Sequence, residues 1–443
     1  MTYHLIGAGG AGMSVVGQLL VQAGHRVSGS DRSDSANLQR LKESGADVFV
    51  GHDAKQVPAD AIVVVSTAIN PDNPELVVAR ERGQEIIHRS QALAIAAQDK
   101  DFVAVAGAHG KTTTSGMLAV AFGELGRDPS RAIGGNLAGG ASGAHLGTGS
   151  IFVAEADESD GSFLNYTPRV AIVTNVEPDH LDHYGSEEAF HDAFTEFARR
   201  IEFGGLLICC ADSPGALELA KRSRAAGIRT WTYGRGDGLE YHAKITDQED
   251  GPNITFRGKP IELRLSVPGE HNLLNATGAL LGGIELGEDA HDMAQALRAF
   301  RGTGRRFEQR GEKAGRRVID DYAHHPTEVR ATLQTARAET ERAVRVLFQP
   351  HLYSRTEMFA QEFADALALA DSVVVTNVYP AREVPADGRE SDAITELLPG
   401  AELVADKVAA AHRIAQLSEP GDIVLTMGAG DVTEMADVVL EQL

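Results

Sequence analysis

Short, nearly continuous apolar runs alternate along the chain with segments of helical period, and glycines fall where one gives way to the other. That pattern predicts an α/β protein. Strands buried on both faces of a parallel sheet carry unbroken apolar runs, and strand-to-helix turns collect glycine. A first unit runs from a strand at Tyr3–Ile6 through a glycine-rich turn to a helix over Met13–Ala23, then to strands at Arg26–Ser28 and Ala61–Ser66. It closes near Ala94–Gln98, where Gln98-Asp99-Lys100-Asp101 reads as a polar linker. A second unit opens with a strand at Phe102–Ala106 and a helix over Thr112–Leu125 that Gly126 stops. Ile151–Ala154, Val170–Thr174 and Leu206–Cys209 are further buried strands. Residues 241–267 alternate apolar and polar positions and predict short antiparallel strands, followed by helices at His271–Leu286 and Asp289–Phe300. Past a hinge at Gly302-Thr303-Gly304, strands at Val318–Asp320, Val344–Phe348, Val373–Thr376 and Ile423–Thr426 alternate with helices over Thr327–Thr340, Thr356–Ala370 and Lys407–Leu417. Three α/β domains are expected, over 1–98, 99–303 and 304–443.

Composition narrows the class. The 443 residues carry 41 Lys and Arg against 63 Asp and Glu, a formal charge of −22. A field of that sign repels phosphate backbones and anionic lipid, so neither nucleic acid nor membrane is an expected partner. Hydrophobic residues make up 43% and charged residues 23%, enough for full cores. Cys209 and Cys210 are adjacent and read as buried residues of a reducing compartment. No apolar run approaches the roughly 18 residues a membrane span needs, and the first residues lack a basic leader, so a cytoplasmic enzyme is expected. The 47 glycines are many for a chain without low-complexity tracts.

Two glycine turns carry the first chemical signal. Gly7-Ala8-Gly9-Gly10-Ala11-Gly12 fits G-x-G-x-x-G between a strand and a helix, where backbone amides can hold a pyrophosphate. Asp31 follows nineteen residues past Gly12, where an acidic group usually takes a ribose hydroxyl. The motif does not separate NAD, FAD and a nucleotide sugar. The second turn, Gly107-Ala108-His109-Gly110-Lys111-Thr112-Thr113-Thr114, ends as a P-loop does, although Val105 breaks the strict spacing. Its amides can cradle phosphates, Lys111 can neutralise the terminal one, and Thr112 can offer a hydroxyl to Mg²⁺. A cation at a helix start opposes the helix dipole unless an anion sits there.

Glu155-Ala156-Asp157-Glu158-Ser159-Asp160 puts four carboxylates in six residues at the end of a strand, a poor loop unless cations are near. Asn175-Val176-Glu177-Pro178-Asp179-His180-Leu181-Asp182-His183 follows the next strand in the same way. Oxygen-rich sets with one histidine suit Mg²⁺. A zinc hydrolase built on His180 and His183 is the rival, weakened by the absence of an H-E-x-x-H helix.

Ten ordered blocks then resemble the Mur ligases of peptidoglycan synthesis. They are Gly7–Ser14, Ser28–Asp31, Gly107–Thr114, Glu155–Phe163, Thr174–Tyr184, His271–Ala276, Gly304–Glu308, Asp320–Val329, Gln349–Thr356 and Gly428–Asp431. The resemblance implies a Rossmann-like UDP-sugar domain, a central P-loop ATPase-type domain with a mixed sheet, and a C-terminal Rossmann-like domain. It implies ATP-dependent amide formation in cell-wall building, and so a part in cell shape and division. In the branch that these blocks resemble, ATP activates the lactyl carboxylate of UDP-N-acetylmuramate as an acyl phosphate and L-alanine displaces phosphate.

The resemblance assigns roles residue by residue. Gly7, Gly9, Gly10, Gly12, Met13, Ser14 and Asp31 correspond to the UDP-sugar site. Gly107, Ala108, His109, Gly110, Lys111, Thr112 and Thr113 correspond to the ATP-phosphate loop, Asn272 and Asn275 to the adenine site, and Arg306 and Asp321 to ATP contacts made on closure. Thr112 with Glu155, and Glu155 with His180, correspond to ligands of two Mg²⁺ ions, and Asn136 to an amide near the reacting carboxylate. Tyr322, His324, His351 and Arg355 correspond to the alanine pocket. Ala108, Ala323 and Leu352 depart from residues common in the family, and Leu352 takes the place of a frequent Arg in that pocket. No lysine lies between Lys111 and Lys221, so the carbamylated lysine that several Mur ligases use is ruled out. A ligase that attaches a whole tripeptide to the same UDP-sugar is the near alternative, and an NAD-dependent oxidoreductase or a binding-only sensor the distant ones. Oligomeric state is not readable from the sequence.

Overall fold

The computed structural model describes residues 1–178, 181–236, 241–248, 251–381, 383 and 392–443. Three sheets organise them. The first is wholly parallel, in the order Asp47–Val50, Arg26–Asp31, Thr2–Ile6, Ile62–Val65, Ile86–His88. Alternate residues of its central strands feed two cores: Tyr3, Leu5 and Val64 face one side, Ile6 and Val63 the other. The turn after Thr2–Ile6 therefore opens where the strand order reverses, the crevice in which such sheets bind ligands.

The central sheet has ten strands, in the order Lys259–Glu262, Gly251–Phe256, Ala243–Gln248, Thr230–Gly234, Leu206–Cys210, Val170–Val173, Asp101–Ala106, Ile151–Glu155, Ser130–Ala132, Ala144–His145. Its middle is parallel, and both edges turn antiparallel, at 243–262 and at 130–145. Asp101–Ala106 lies between Val170–Val173 and Ile151–Glu155, so the second glycine turn and both acidic loops emerge at one sheet edge. The third sheet runs Glu308–Lys313, Arg316–Asp321, Ile423–Met427, Val344–Phe348, Ser372–Val375, Glu402–Leu403, with only the first pairing antiparallel. Ile319, Val346 and Leu425 enter one of its cores and Val318, Leu347 and Val424 the other, the signature of helices on both faces.

Two compact units contain these sheets. One spans Met1–Ser266 and Asn272–Arg301 and holds the first and central sheets, and the other spans Val267–His271 and Gly302–Leu443. The expected single helix over Thr356–Ala370 is instead two, Tyr353–Met358 and Ala360–Leu367. Phe359 leaves helical angles (φ −113°, ψ 23°) and sets its ring edge-on to His325 at 5.0 Å, a packing contact that overrides the helical period. Among the described residues no helix is long and apolar enough to cross a membrane.

Candidate active site

The first glycine turn is fixed by its own backbone and by the next strand. Gly7 and Ala8 donate their amides to the Ser30 carbonyl, each at 2.8 Å, and Gly9 donates to Asp31 Oδ2 at 2.9 Å. Asp31 also accepts from Ser33 N at 3.3 Å, so the predicted ribose ligand holds the turn in shape here. A Cβ on Gly9 would lie 2.6 Å from Ser35 Oγ, and Gly7 has φ +80°. Met13 and Ser14 are buried in the helix behind the turn, where Ser14 Oγ donates to the Asn37 carbonyl. Helix Ala11–Gln22 starts at Gly10 without a side-chain cap, whereas helices that follow Ser35, Asn73 and Ser186 are capped by those side chains. Its first amides are thus left for an anion.

The second turn repeats the uncapped start: helix Lys111–Glu124 begins at Gly110, φ +83°. Gly107 has φ +131°, and a Cβ there would run into Thr174 Oγ1 and lie 2.9 Å from the Asn175 carbonyl. A Cβ on Gly110 would lie 2.6 Å from Asn275 Oδ1. The Asn175 carboxamide brackets His109, accepting from its amide at 3.1 Å and donating to its carbonyl at 3.0 Å. Lys111 Nζ donates to the Gly107 carbonyl at 2.6 Å and to Glu158 Oε1 and Oε2 at 2.8 and 2.9 Å. The anion that the helix dipole asks for is Glu158, only 2% exposed, against 17% for Lys111. Burial alone would lower the Lys111 pKa, but Glu158 and Asp157 hold it above its ordinary value. Burial pushes Glu158 up to about 7 against the pull of Lys111.

The acidic loop has its cations. Arg89 reaches Asp157 Oδ2 at 2.7 Å and Asp160 Oδ2 at 3.5 Å. Burial opposes the charge on Asp157, yet Arg89 and Lys111 hold that carboxyl far below the usual range. Arg89 Nη1 also lies 3.1 Å from where a Cβ on Gly12 would sit, so one side chain touches both the first turn and the acidic loop. Glu155 Oε1 accepts from Gly134 N at 2.7 Å, and Asn136 in the same loop accepts from Arg40 Nη1 at 2.7 Å. Thr112 and Thr113 stand in the first turn of the helix after Gly110. Asn272 and Asn275 are both buried on helix Glu270–Glu285. His180 lies outside the described residues.

The second unit gathers the remaining candidates. Asp321 accepts from Phe307 N at 2.7 Å and Ala323 N at 2.8 Å, and burial pushes it up to about 6 despite Arg306. Glu328 accepts from Arg306 Nη1 at 3.1 Å and from His324 N at 3.0 Å, with His324 Nδ1 3.1 Å away. The guanidiniums of Arg305 and Arg306 lie 4.8 and 5.1 Å from the Tyr322 ring centre. His324 meets the His351 ring at 5.9 Å, and His351 stacks on Tyr379 at 5.7 Å. Arg355 Nη1 lies 3.4 Å from His351 Nδ1. Tyr322, His324, His351 and Arg355 therefore converge. Leu352 enters the following helix at φ +68°, a conformation that L side chains rarely adopt.

Sequence reasoning did not find Glu158, Arg89, Asn175, Glu328 or Tyr379 as partners. Glu158 had a signal, since four crowded carboxylates require cations, and Lys111 and Arg89 supply them. Arg89 had none, because only the fold brings it to residues 68 positions away.

The chain matches family models across its length: the Mur ligase catalytic domain over residues 2–101, the middle domain over 105–282 and the glutamate ligase domain over 305–430. It is 51% identical to a UDP-N-acetylmuramate–L-alanine ligase of Renibacterium salmoninarum, covering 99% of this chain and 95% of the relative. The chain belongs to the Mur ligase family. The UDP-N-acetylmuramate-alanine ligase of Thermotoga maritima superposes with a TM-score of 0.80 at 30% identity, covering 100% of this chain and 99% of that one. A murein peptide ligase of Psychrobacter arcticus gives 0.74 at 25%, covering 100% and 98%. This Mur ligase is an ATP-dependent, amide-forming enzyme with small-molecule substrates, of a family that generally requires a divalent metal. Its donors fit those groups. The helix after Gly110 starts without a side-chain cap and so leaves first-turn amides for a phosphate, and the hydroxyl of Thr112 and carboxylate of Glu155 are hard oxygen ligands.

Proposed function

We propose that this Mur ligase joins L-alanine to the lactyl carboxylate of UDP-N-acetylmuramate, consuming ATP, with Mg²⁺ as its metal, in the cytoplasmic synthesis of peptidoglycan precursor. What carries the reading is the Lys111 cradle, set on the same sheet edge as Glu155 and its tethered Gly134–Asn136 loop, in a chain half identical to an alanine-adding ligase over almost its whole length. The greater likeness to alanine ligases than to the murein peptide ligase favours alanine over a tripeptide.

A carboxylate is inert to amines until one oxygen becomes a leaving group. The lactyl oxygen attacks the γ-phosphorus, ADP departs, and an acyl phosphate remains. The alanine amine then attacks the acyl carbon, loses a proton and expels phosphate. Such transfer depends on placed cations more than on a covalent nucleophile. Lys111 steadies the phosphoryl group, exchanging Glu158 for phosphate oxygen, while amides of Gly107–Thr113 hold the chain of phosphates. Asn136 steadies the reacting carboxylate. Thr112, Glu155 and His180 would hold Mg²⁺, which supplies charge neutralisation at the transferring group. Asn272 and Asn275 serve the adenine, and Arg306 and Asp321 the nucleotide. The turn at Gly7–Gly12 with Asp31 receives the UDP-sugar, and Tyr322, His324, His351 and Arg355 the amino acid, whose carboxylate Arg355 pairs. Domains over 1–98, 99–303 and 304–443 divide these tasks.

ADP release measured with UDP-N-acetylmuramate, ATP and Mg²⁺ should require L-alanine and be faster with it than with glycine, L-serine or the tripeptide. Tripeptide turnover well above alanine turnover would overturn this reading.

A further inference from the structure

The loop that carries Asn136 is held at both ends. Gly134 N donates to Glu155 Oε1 at 2.7 Å, and Asn136 Oδ1 accepts from Arg40 Nη1 at 2.7 Å. Arg40 uses its whole fork: Nε donates to the Ala36 carbonyl at 3.3 Å and Nη2 to Asn37 Oδ1 at 2.8 Å. Asn37 Nδ2 in turn donates to the Gly9 carbonyl at 3.1 Å. Ser35, whose Oγ caps the same helix, donates to that carbonyl at 3.4 Å. A continuous line of side-chain hydrogen bonds thus runs from the first glycine turn, through helix Ala36–Glu43, to the loop beside Glu155.

The two ends of a carboxamide differ, and this line sorts them. A guanidinium has donors and no acceptor, so Arg40 can bind only Oδ1 of Asn136 and leaves the NH₂ end turned away from itself. The groups awaiting Asn136, a carboxylate and then an acyl phosphate, are acceptors. The orientation that Arg40 enforces is therefore the useful one. Asn37 is sorted in the same manner, with its oxygen on Arg40 and its nitrogen on Gly9.

We propose that Arg40 is a positioning residue of the ligase reaction: it fixes the Asn136 carboxamide with its NH₂ toward the substrate carboxylate and ties that orientation to the Gly7–Gly12 turn. The inference rests on the reading of Asn136 given above. Unlike a residue that binds the UDP-sugar, Arg40 acts on turnover through Asn136, so the two side chains must be coupled.

A double-mutant cycle on the full chain tests this by ADP release at saturating substrates. Asn136→Ala is expected to lower kcat by about a hundredfold and Arg40→Ala by about tenfold, a charge-assisted hydrogen bond's worth of orientation. The double variant should be no slower than Asn136→Ala alone. Arg40→Lys should recover part of the loss, because an ammonium can still donate to Oδ1 but lacks the planar fork that holds the Asn136 and Asn37 oxygens in fixed geometry. Should Arg40→Ala fail to fold, Arg40→Met, of similar length and without a donor, carries the same expectation. Losses that multiply in the double variant, or an Arg40→Ala effect confined to KM for the UDP-sugar, would overturn the proposal. Full kcat in Asn136→Ala would overturn it through the role of Asn136. Failure of the alanine-ligase reading shows differently, as absence of alanine-dependent ADP release in the unaltered chain.

Discussion

Around Gly7–Gly12 the turn is fixed by backbone amides on the Ser30 carbonyl and by one partly exposed carboxylate, Asp31, on Gly9. Around Gly107–Lys111 the same geometry is fixed by a buried ion pair, Lys111 with Glu158, and by the Asn175 carboxamide. Both turns precede an uncapped helix, yet their electrostatics are opposite. The first offers amides with an acidic rim, and the cation that reaches it, Arg89 beside Gly12, is already paired with Asp157 and Asp160, which suits a pyrophosphate that is held and not transferred. The second stores a cation beside an internal carboxylate, so on the function proposed above a phosphate would take the place of Glu158 on Lys111. A charge of −22 over the whole chain matters little to either, because each site is set by groups within hydrogen-bond reach.

The largest test of this contrast is Lys111→Ala. Loss of the cation is expected to lower kcat by about a thousandfold, with circular dichroism unchanged, since Glu158 can take a proton once its partner is gone. Near-normal turnover would remove Lys111 from the chemistry. Gly110→Ala forces a left-handed residue against Asn275 and should raise KM for ATP by about a hundredfold, leaving KM for the UDP-sugar within about twofold. Asp31→Ala should do the reverse, raising KM for the UDP-sugar by about tenfold through the loosened Gly9 amide while KM for ATP holds. Equal effects on both substrates in either variant would erase the distinction between the turns.

The smallest effect is on stability. A Glu158 carboxyl at about 7 when folded, against an ordinary 4.5, binds more protons folded than unfolded between those values. Its contribution to stability is therefore present below about 4.5 and lost as pH rises toward about 7. The melting temperature of the ligand-free chain should fall across that window, and Glu158→Gln should make the fall shallower by a few degrees. Identical slopes would mean that the carboxyl does not titrate there.

Much of this was legible in the sequence, for identifiable reasons. Val170–Val173 and Leu206–Cys210 are buried on both faces, so their apolar runs declare them as strands. Glycine turns that need positive φ, as at Gly7 and Gly107, declare themselves too. The edge strand Glu308–Lys313 contains no apolar side chain and is half exposed, so nothing in the pattern marks it. The break at Phe359 depends on a ring contact with His325 that no local period contains. Within the site, motif residues were readable and several of their partners were not: Arg40 beside Asn136 and Arg89 beside Asp157 owe their places to chain crossings, which spacing along the sequence does not encode.

The two cysteines have a practical consequence. Cys209 and Cys210 are buried in the central sheet, and burial pushes both thiols far above the range in which thiolates form near neutral pH. A maleimide dye added to the folded chain should find nothing to alkylate. The unaltered sequence is thus already a blank background for labelling, on which one cysteine placed at an exposed position would report alone.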